Sequence, residues 1–252
     1  PFRLGLTATM ERQDGREDLL EDAIGPVVYR KGITELAGSF LADYETIKIL
    51  IELKEPEKVE YEAVRKEYTD FLRQKEISMG GSGGWNQFIR IAARSAQGRS
   101  AFQAYLRSKQ LAQSAEGKIE CLEKLIHRHK TTKMIIFTND NSTAYRISKQ
   151  FLLPCITQQT NVKERRELLL AFSEGTLPVM VTSRVLNEGV DIPAAEIAVV
   201  LSGTGTVREH VQRLGRILRP MKGKQAVLYE LVAKDTAEEY TSQRRRRHDA
   251  YK

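Results

Sequence analysis

Strands and helices alternate along the second half of this chain, and that alternation restricts the possible fold more than any other feature. Short apolar runs predict strands at 134–138, 155–157, 179–182, 197–201 and 226–231. Helical spacing of apolar residues predicts helices at 117–130, 142–152, 162–173 and 207–218. The pattern predicts an α/β fold with a parallel sheet covered by helices on both faces. Ligands of such sheets bind beyond the carboxyl ends of the strands.

The first half of the chain has a different organisation. A strand is predicted at 46–53, a helix at 56–76, and a return helix or pair of helices at 85–110. The Gly-rich run 79–84 is typical of a tip between two helical stretches. Together they predict a helical hairpin inserted into another domain. Residues 1 to about 30 look like a remnant of a preceding domain, because 4–9 resembles a strand end without a sheet before it.

The bulk composition favours a globular protein of a reducing compartment. The 252 residues, 41% of them hydrophobic, support one large domain or a domain with a smaller module. Only Cys121 and Cys155 occur, and neither they nor the four histidines have metal-ligand spacing, so we expect no disulfide framework and no metal site. No apolar stretch could cross a bilayer and no secretory signal is recognisable, which predicts a soluble, cytosolic protein.

Positive charge is concentrated in two stretches of the chain. Residues 85–110 hold five basic side chains and no acidic one, and residues 243–252 hold five basic side chains and one acidic one. These stretches account for more than the whole net charge of +7. Such concentration fits a nucleic-acid footprint, although the terminal arginine run could equally be a solvated basic tail.

The predicted helix 207–218 has two faces with different chemistry. At about 3.6 residues per turn an apolar stripe lies opposite Gln212, Arg216 and Arg219. Arg219 precedes Pro220, which disfavours further helix, so this guanidinium lies at a helix end. Two planar guanidiniums and an amide suit a polyphosphate. The alternative is a solvated helix face whose terminal arginine complements the helix dipole.

Three ordered segments carry a family resemblance. They are the runs at 4–9 (LGLTAT), 181–191 (VTSRVLNEGVD) and 212–220 (QRLGRILRP). They resemble motifs III, V and VI of superfamily 2 helicases. With Leu218 where many RNA helicases have Gly, the third run is similar to the XPB branch of DNA repair helicases. The resemblance covers nearly the whole chain and implies a RecA-like fold.

The resemblance also divides the chain. It implies that 1–32 is a remnant of the first helicase domain and that 33–252 is the second RecA-like domain, with a thumb-like helical insertion at about 56–110. No Gly-rich loop ending in Gly-Lys-Ser/Thr and no Asp-Glu pair after a strand occurs in the 252 residues. We therefore expect the domain that anchors the nucleotide to lie outside this sequence.

On the nucleotide side, the resemblance implies roles for five residues. Arg216 and Arg219 match the arginine fingers that act across a cleft on ATP, and Gln212 matches the residue facing the γ-phosphate or the attacking water. Gly189 and Asp191 match residues near the ribose. Read alone, Gly189 could serve a turn and Asp191 an Asx-type bond.

On the nucleic-acid side, the resemblance implies contacts from strand ends. Thr182 and Ser183 match motif V residues that touch the nucleic-acid backbone. Thr138 and Asn139 belong to motif IV and could contact a phosphate, although polar residues after a strand often only cap the next helix.

The insertion and the N-terminal remnant carry the remaining predicted contacts. Arg90, Arg94 and Arg99 of the acid-free arm are expected to grip the nucleic-acid backbone, with nearby aromatic residues able either to stack on bases or to form core. Thr7 and Thr9 match motif III, which couples the nucleotide site to the strand groove. Alternatively, their hydroxyls only satisfy backbone groups at a strand end.

The implied function is that of the second motor domain of an ATP-dependent DNA helicase or translocase in nucleotide excision repair. ATP and Mg²⁺ would be bound mainly by the missing first domain, so this chain alone should be inactive. DNA, that first domain and a nuclease or transcription/repair factor are the implied partners, in the prokaryotic cytoplasm or the eukaryotic nucleus. The alternatives are a lobe of an RNA helicase or restriction-type translocase, and a non-catalytic nucleic-acid-binding module.

Overall fold

The computed structural model describes residues 3–6, 18–29, 43–79, 83–183, 195–202 and 225–245. The helices are α1 Asp18–Ile24, α2 Glu55–Gln74, α3 Gly84–Ala92, α4 Ala96–Gln113, α5 Glu116–Arg128, α6 Asn141–Phe151, α7 Val162–Glu174 and α8 Ala237–Arg245. The strands are β1 Asp43–Ile51, β2 Met134–Phe137, β3 Cys155–Ile156, β4 Val179–Thr182, β5 Ile197–Val200 and β6 Gln225–Ala233.

The chain divides into two compact units. The sheet unit comprises Pro1–Ile49, Leu122–Leu231 and Thr241–Lys252. The helical unit comprises Leu50–Cys121 and Val232–Tyr240. The division of the chain into 1–32 and 33–252 stays a prediction.

The sheet unit is built on six strands in the order β1-β6-β5-β2-β4-β3. The pairs β2/β4, β2/β5, β3/β4 and β5/β6 are all parallel. Every residue of β2, β4 and β5 is buried, so both faces of the sheet centre are covered. This confirms the predicted parallel sheet with helices, because only a sheet covered on two sides permits such continuous apolar strands.

The core on one face of the sheet combines residues from strands and helices. Its fully buried members include Ile135, Phe137, Ile156, Phe172, Met180, Ala198 and Leu228. Partly buried Leu168 and Leu169 of α7 pack against them. Burying a large apolar side chain contributes roughly 1.5–3 kcal/mol relative to exposure, so this cluster is a main source of stability for the unit.

The helical unit pairs two long helices. Helix α2 begins with Pro56 in its first turn, and the Lys54 backbone N–H donates to Glu57 Oε2 (3.1 Å). It ends where Glu76 adopts a left-handed conformation (φ 53°) and the Ile77 N–H donates to the Leu72 carbonyl (2.9 Å), a helix-ending pattern.

Aromatic residues form much of the interface between α2 and the α3–α4 arm. Tyr68 and Tyr105 meet edge to face with centroids 5.5 Å apart, and Phe71 lies 6.2 Å from Phe88. Burial raises the pKa of both tyrosines above the ordinary value of 10. The return stretch predicted at 85–110 forms two helices, α3 and α4, rather than one.

A buried ion pair connects two other parts of the helical unit. Lys118 Nζ in α5 lies 2.5 Å from Glu238 Oε2 in α8, with side chains 0% and 7% exposed. The same Glu238 oxygen accepts the N–H of Ala233 (2.9 Å). A buried ion pair with additional hydrogen bonds is costly to break, because the surviving charge remains in the interior.

Among the helices of the described residues, none has the length and apolarity needed to cross a membrane.

Candidate nucleic-acid interface

The carboxyl ends of the central strands bring four predicted site residues to one edge of the sheet. They are Thr138, Asn139, Thr182 and Ser183. Phe137 is in register with Thr182 on one side and with Val200 on the other. Thr138, which follows Phe137, therefore lies beside Thr182 and Ser183. The structure places this group where ligands of parallel sheets bind.

The threonine hydroxyls at this edge are turned inward. Thr138 Oγ1 donates to the carbonyls of Asp140 (2.9 Å) and Thr182 (3.3 Å), and Thr182 Oγ1 donates to the Ser183 carbonyl (3.0 Å). Thr138, Thr182 and Ser183 are all buried. In this structure the Thr138 hydroxyl connects the ends of β2 and β4, and the Thr182 hydroxyl satisfies the neighbouring backbone carbonyl.

The loop after β2 has a capping residue that our sequence reasoning missed. Asp140 Oδ1 accepts the N–H of Thr143 (2.8 Å), and Asp140 Oδ2 accepts the Thr143 hydroxyl (2.9 Å). Asp140 is therefore the N-cap of α6, a role that an Asp three residues before a threonine could have indicated. Asn139 is half-buried, and its N–H donates to Ser202 Oγ (2.9 Å) across to the end of β5.

A second polar network lies after β3 and was also absent from the predicted site. The Tyr145 hydroxyl lies 2.8 Å from Thr157 Oγ1 and donates to Gln159 Oε1 (3.0 Å). Arg165 Nη2 donates to the carbonyls of Thr160 (3.1 Å) and Thr157 (3.4 Å). These bonds fix the backbone of the loop that follows the edge strand β3.

Several predicted residues lie outside the described residues. They are Thr7, Thr9, Gly189, Asp191, Gln212, Arg216 and Arg219, together with the predicted helix 207–218.

In the helical unit, one basic residue of the acid-free arm is neutralised. Arg107 forms a two-point ion pair with Glu60 on α2, with Nε 2.5 Å from Oε1 and Nη2 2.9 Å from Oε2. Hydrogen bonding from Arg107 lowers the pKa of the Glu60 carboxyl. Lys109 Nζ lies 5.6 Å from the centre of the Tyr105 ring. Arg107 therefore contributes little net charge to a surface that binds an anion.

The three arginines predicted to grip the nucleic-acid backbone differ from Arg107 in their ion pairing. Arg90 lies in the last turn of α3, Arg94 between α3 and α4, and Arg99 in the first turns of α4, and all three are exposed. Arg99 Nη1 donates to the Ala93 carbonyl at 3.4 Å. Within the described part of the chain none of them pairs with an acidic side chain. Their charges are therefore available to a ligand.

Local sequence fixes the corner that carries these arginines. Ser95 is the N-cap of α4, and its side chain accepts the N–H of Gly98 (2.9 Å). Gly98 lies against the backbone of Ala92, where an added Cβ would be 2.5 Å from the carbonyl oxygen. A larger residue at 98 would force α3 and α4 apart, so this glycine lets the two helix ends approach closely. The three arginines consequently stay within one small surface, which we call the arginine corner.

The four aromatic residues of α3 and α4 differ in exposure. Phe88 is completely buried, Phe102 and Tyr105 are half-buried, and all three belong to the core beneath the corner or pack against it. Trp85 is 39% exposed. Core formation therefore explains three of them, and Trp85 reaches the surface.

No group of three metal-binding side chains comes together among the described residues.

Comparison with known proteins identifies related sequences. Residues 100–249 match the family model described as "ERCC3/RAD25/XPB C-terminal helicase". A curated relative from Sulfurisphaera tokodaii, "DNA 3'-5' translocase XPB2", is 43% identical over 98% of this chain and 56% of its own length. "DNA 3'-5' helicase XPB" from Kineococcus radiotolerans is 28% identical over 97% of this chain and 38% of its own length. The chain thus spans about half or less of these relatives.

Solved structures show a similar fold. The C-terminal part of the Fun30 ATPase domain aligns with a TM-score of 0.57 and 16% identity, over 81% of this chain and 89% of that one. At this identity the likeness concerns the fold alone.

Proposed function

Because this chain belongs to the ERCC3/RAD25/XPB family of helicases, we propose that it forms the second motor domain of an ATP-dependent DNA translocase or helicase. In this role the domain grips the DNA backbone and completes a nucleotide site whose other wall belongs to a first motor domain. Nucleotide excision repair, with a nuclease or a transcription/repair factor as protein partner, is the proposed setting.

The arginine corner is the observation that carries the proposed DNA contact. Arg90, Arg94 and Arg99 are exposed and have no acidic partner among the described residues, whereas Arg107 on the same arm is paired with Glu60. Guanidiniums that form no ion pair attract phosphates, and the counterions released from the nucleic acid make binding salt-dependent. We propose that these three side chains contact backbone phosphates.

The nucleotide part of the proposal rests on the sequence. Gln212, Arg216 and Arg219 are proposed to reach the γ-phosphate of ATP held by the first domain, and Gly189 and Asp191 to lie near the ribose. Bound Mg²⁺ would neutralise phosphate charge there, and we propose that the first domain supplies most of its ligands. Guanidiniums of this chain would stabilise the negative charge that spreads over the transferring phosphoryl group.

ATP turnover by the full-length protein tests the proposal. We expect turnover to be stimulated by DNA more than by RNA of matched length, and this chain alone to hydrolyse almost none. Arg219→Ala should lower DNA-stimulated turnover by about a thousandfold or more, as expected for an arginine finger. Arg73→Ala is the matched control, because Arg73 is an exposed arginine of α2 paired only with Asp70 (3.3 Å).

Two results would contradict the proposal. Equal turnover in Arg219→Ala and Arg73→Ala would remove the arginine-finger role. Stimulation by RNA and not by DNA would assign the domain to an RNA helicase instead.

A further inference from the structure

Trp85 lies at the start of α3 with more than a third of its side chain exposed, 39%. It is the only tryptophan in the 252 residues. A large aromatic residue buries much apolar area when it is covered, so leaving it open forgoes a substantial stabilisation. Neither core packing nor the proposed phosphate contacts account for this exposure.

Three aromatic neighbours hold the indole in place. Its ring centroid lies 5.2 Å from that of Tyr105, 6.0 Å from Phe88 and 6.1 Å from Phe102, all in tilted arrangements. These rings restrict the orientation of Trp85 before any ligand binds. A preoriented side chain loses less conformational entropy on binding, so it suits a contact surface.

The surroundings of Trp85 combine apolar area with positive charge. Ile89, one helical turn further along α3, is 40% exposed, and Arg90 follows it on the same helix. The stretch 85–110 contains no acidic residue. Arg90 lies five residues beyond Trp85, roughly 7.5 Å along α3 and on another side of the helix, so a ligand that covers Trp85 must extend along the arm to reach the arginine corner. The two sites together favour a flat apolar group linked to an extended chain of negative charge.

We propose that Trp85 is a stacking platform for an unpaired nucleobase of the strand whose phosphates contact the arginine corner. The inference rests on the proposed DNA contact and specifies the ligand further: a single strand, or a duplex with an unpaired end. A nucleobase offers a flat face, and its phosphates supply the charges that the arginines need. The bases of an intact duplex are stacked on one another, so their faces are not available to the indole.

A protein partner fits this surface less well. An apolar protein side chain on Trp85 would bring the arginine corner into a desolvated interface without a regular source of negative charge, and buried unpaired charge is costly. A nucleic-acid strand supplies a phosphate with every base.

The single tryptophan makes the test direct. Native chain is titrated with three probes of equal phosphate number: oligo(dT), an abasic deoxyribose-phosphate strand and a blunt duplex. Stacking on a base changes tryptophan emission, so we expect oligo(dT) to quench it and the abasic strand and the duplex to leave it nearly unchanged. Fluorescence anisotropy of labelled probes reports binding independently of the tryptophan.

Substitutions then measure the contribution of the ring. Trp85→Leu should weaken oligo(dT) binding by roughly five- to a hundredfold, the range found when one base–aromatic stack is removed. Binding of the abasic strand and of the duplex should change less than twofold. Trp85→Phe keeps a ring and should retain part of the oligo(dT) affinity. Tyr240→Leu, at an aromatic residue of α8 that is 68% exposed, is the matched control and should bind as the native chain does.

The outcomes separate the two proposals. Two results overturn the stacking role and leave the phosphate contacts standing. One is that all three probes bind but oligo(dT) does not quench the tryptophan emission. The other is that Trp85→Leu loses the same amount of affinity for all three probes while its unfolding midpoint is unchanged. If Trp85→Leu unfolds, loss of the oligo(dT) preference in folded Trp85→Phe supports the inference and its full retention opposes it. Binding of none of the probes overturns the DNA contact itself.

Discussion

The arginine corner predicts a specific change in the salt dependence of DNA binding. The perturbation is the triple substitution of Arg90, Arg94 and Arg99 by Gln, which removes three positive charges. If each arginine contacts one phosphate, the slope of log affinity against log salt for duplex DNA should become shallower by roughly 2.7, at about 0.9 per contact. For a single strand the expected change is roughly 2.1, at about 0.7 per contact.

The magnitude can be expressed as a ratio of affinities. Between about 50 and 200 mM salt, a slope difference of roughly 2.7 means that the native chain loses roughly fortyfold more affinity than the triple variant. The assay is fluorescence anisotropy of a labelled duplex over a series of salt concentrations. An unfolding curve for each variant serves as the folding control, because these side chains are exposed and their loss should not change stability.

Arg107→Gln is the matched charge control. Its guanidinium already pairs with Glu60, and it lies eight residues beyond Arg99, roughly 12 Å along α4. That distance exceeds the Debye length of about 10 Å at 0.1 M salt and about 8 Å at 0.15 M, so the slope measured above about 0.1 M should stay nearly the same. An unchanged slope in the triple variant, or an equal change in Arg107→Gln, would refute the assignment of phosphate contacts to the arginine corner.

Three further predictions concern stability. Glu238→Gln should lower the free energy of unfolding by about 3–5 kcal/mol, because a neutral amide would replace the carboxylate that pairs with the buried ammonium group of Lys118; urea denaturation measures this, and a loss below about 1 kcal/mol would contradict it. Asp140→Ala should cost about 0.5–2 kcal/mol in the same assay through the lost cap of α6, and no change would speak against the cap. Burial lowers the pKa of His129 below its ordinary value of 6.5. The stability that the neutral imidazole contributes is therefore fully present above pH 6.5 and is lost as the pH falls through the pKa of the folded state. His129→Gln should flatten the dependence of the thermal unfolding midpoint on pH below 6.5.

The elements that sequence predicted well are those defined by local periodicity. The strand predicted at 179–182 is β4, and the helix predicted at 56–76 is α2 to within two residues at each end. A strand buried on both faces must be apolar throughout, and a helix packed on one side must repeat its apolar residues, so both leave a mark in the sequence.

The details of the candidate site depend on contacts between distant residues, which leave no such mark. Arg107 and Glu60 are 47 positions apart, so counting charges along the arm could not distinguish Arg107 from the three unpaired arginines. Thr138 and Thr182 are 44 positions apart, and the hydroxyl of the first donates to the carbonyl of the second only because β2 and β4 are neighbours. Composition likewise could not tell that Trp85 is partly exposed while Phe88 is fully buried.

The ion pair between Lys118 and Glu238 determines where this polypeptide tolerates shortening. Deleting α8 would remove the carboxylate that pairs with the fully buried ammonium group of Lys118, and losing this carboxylate favours loss of the ammonium proton or entry of water into the interior. A fragment designed to carry α2 to α5 without α8 must therefore either retain the peptide around Glu238 or replace Lys118 with a neutral side chain of similar volume.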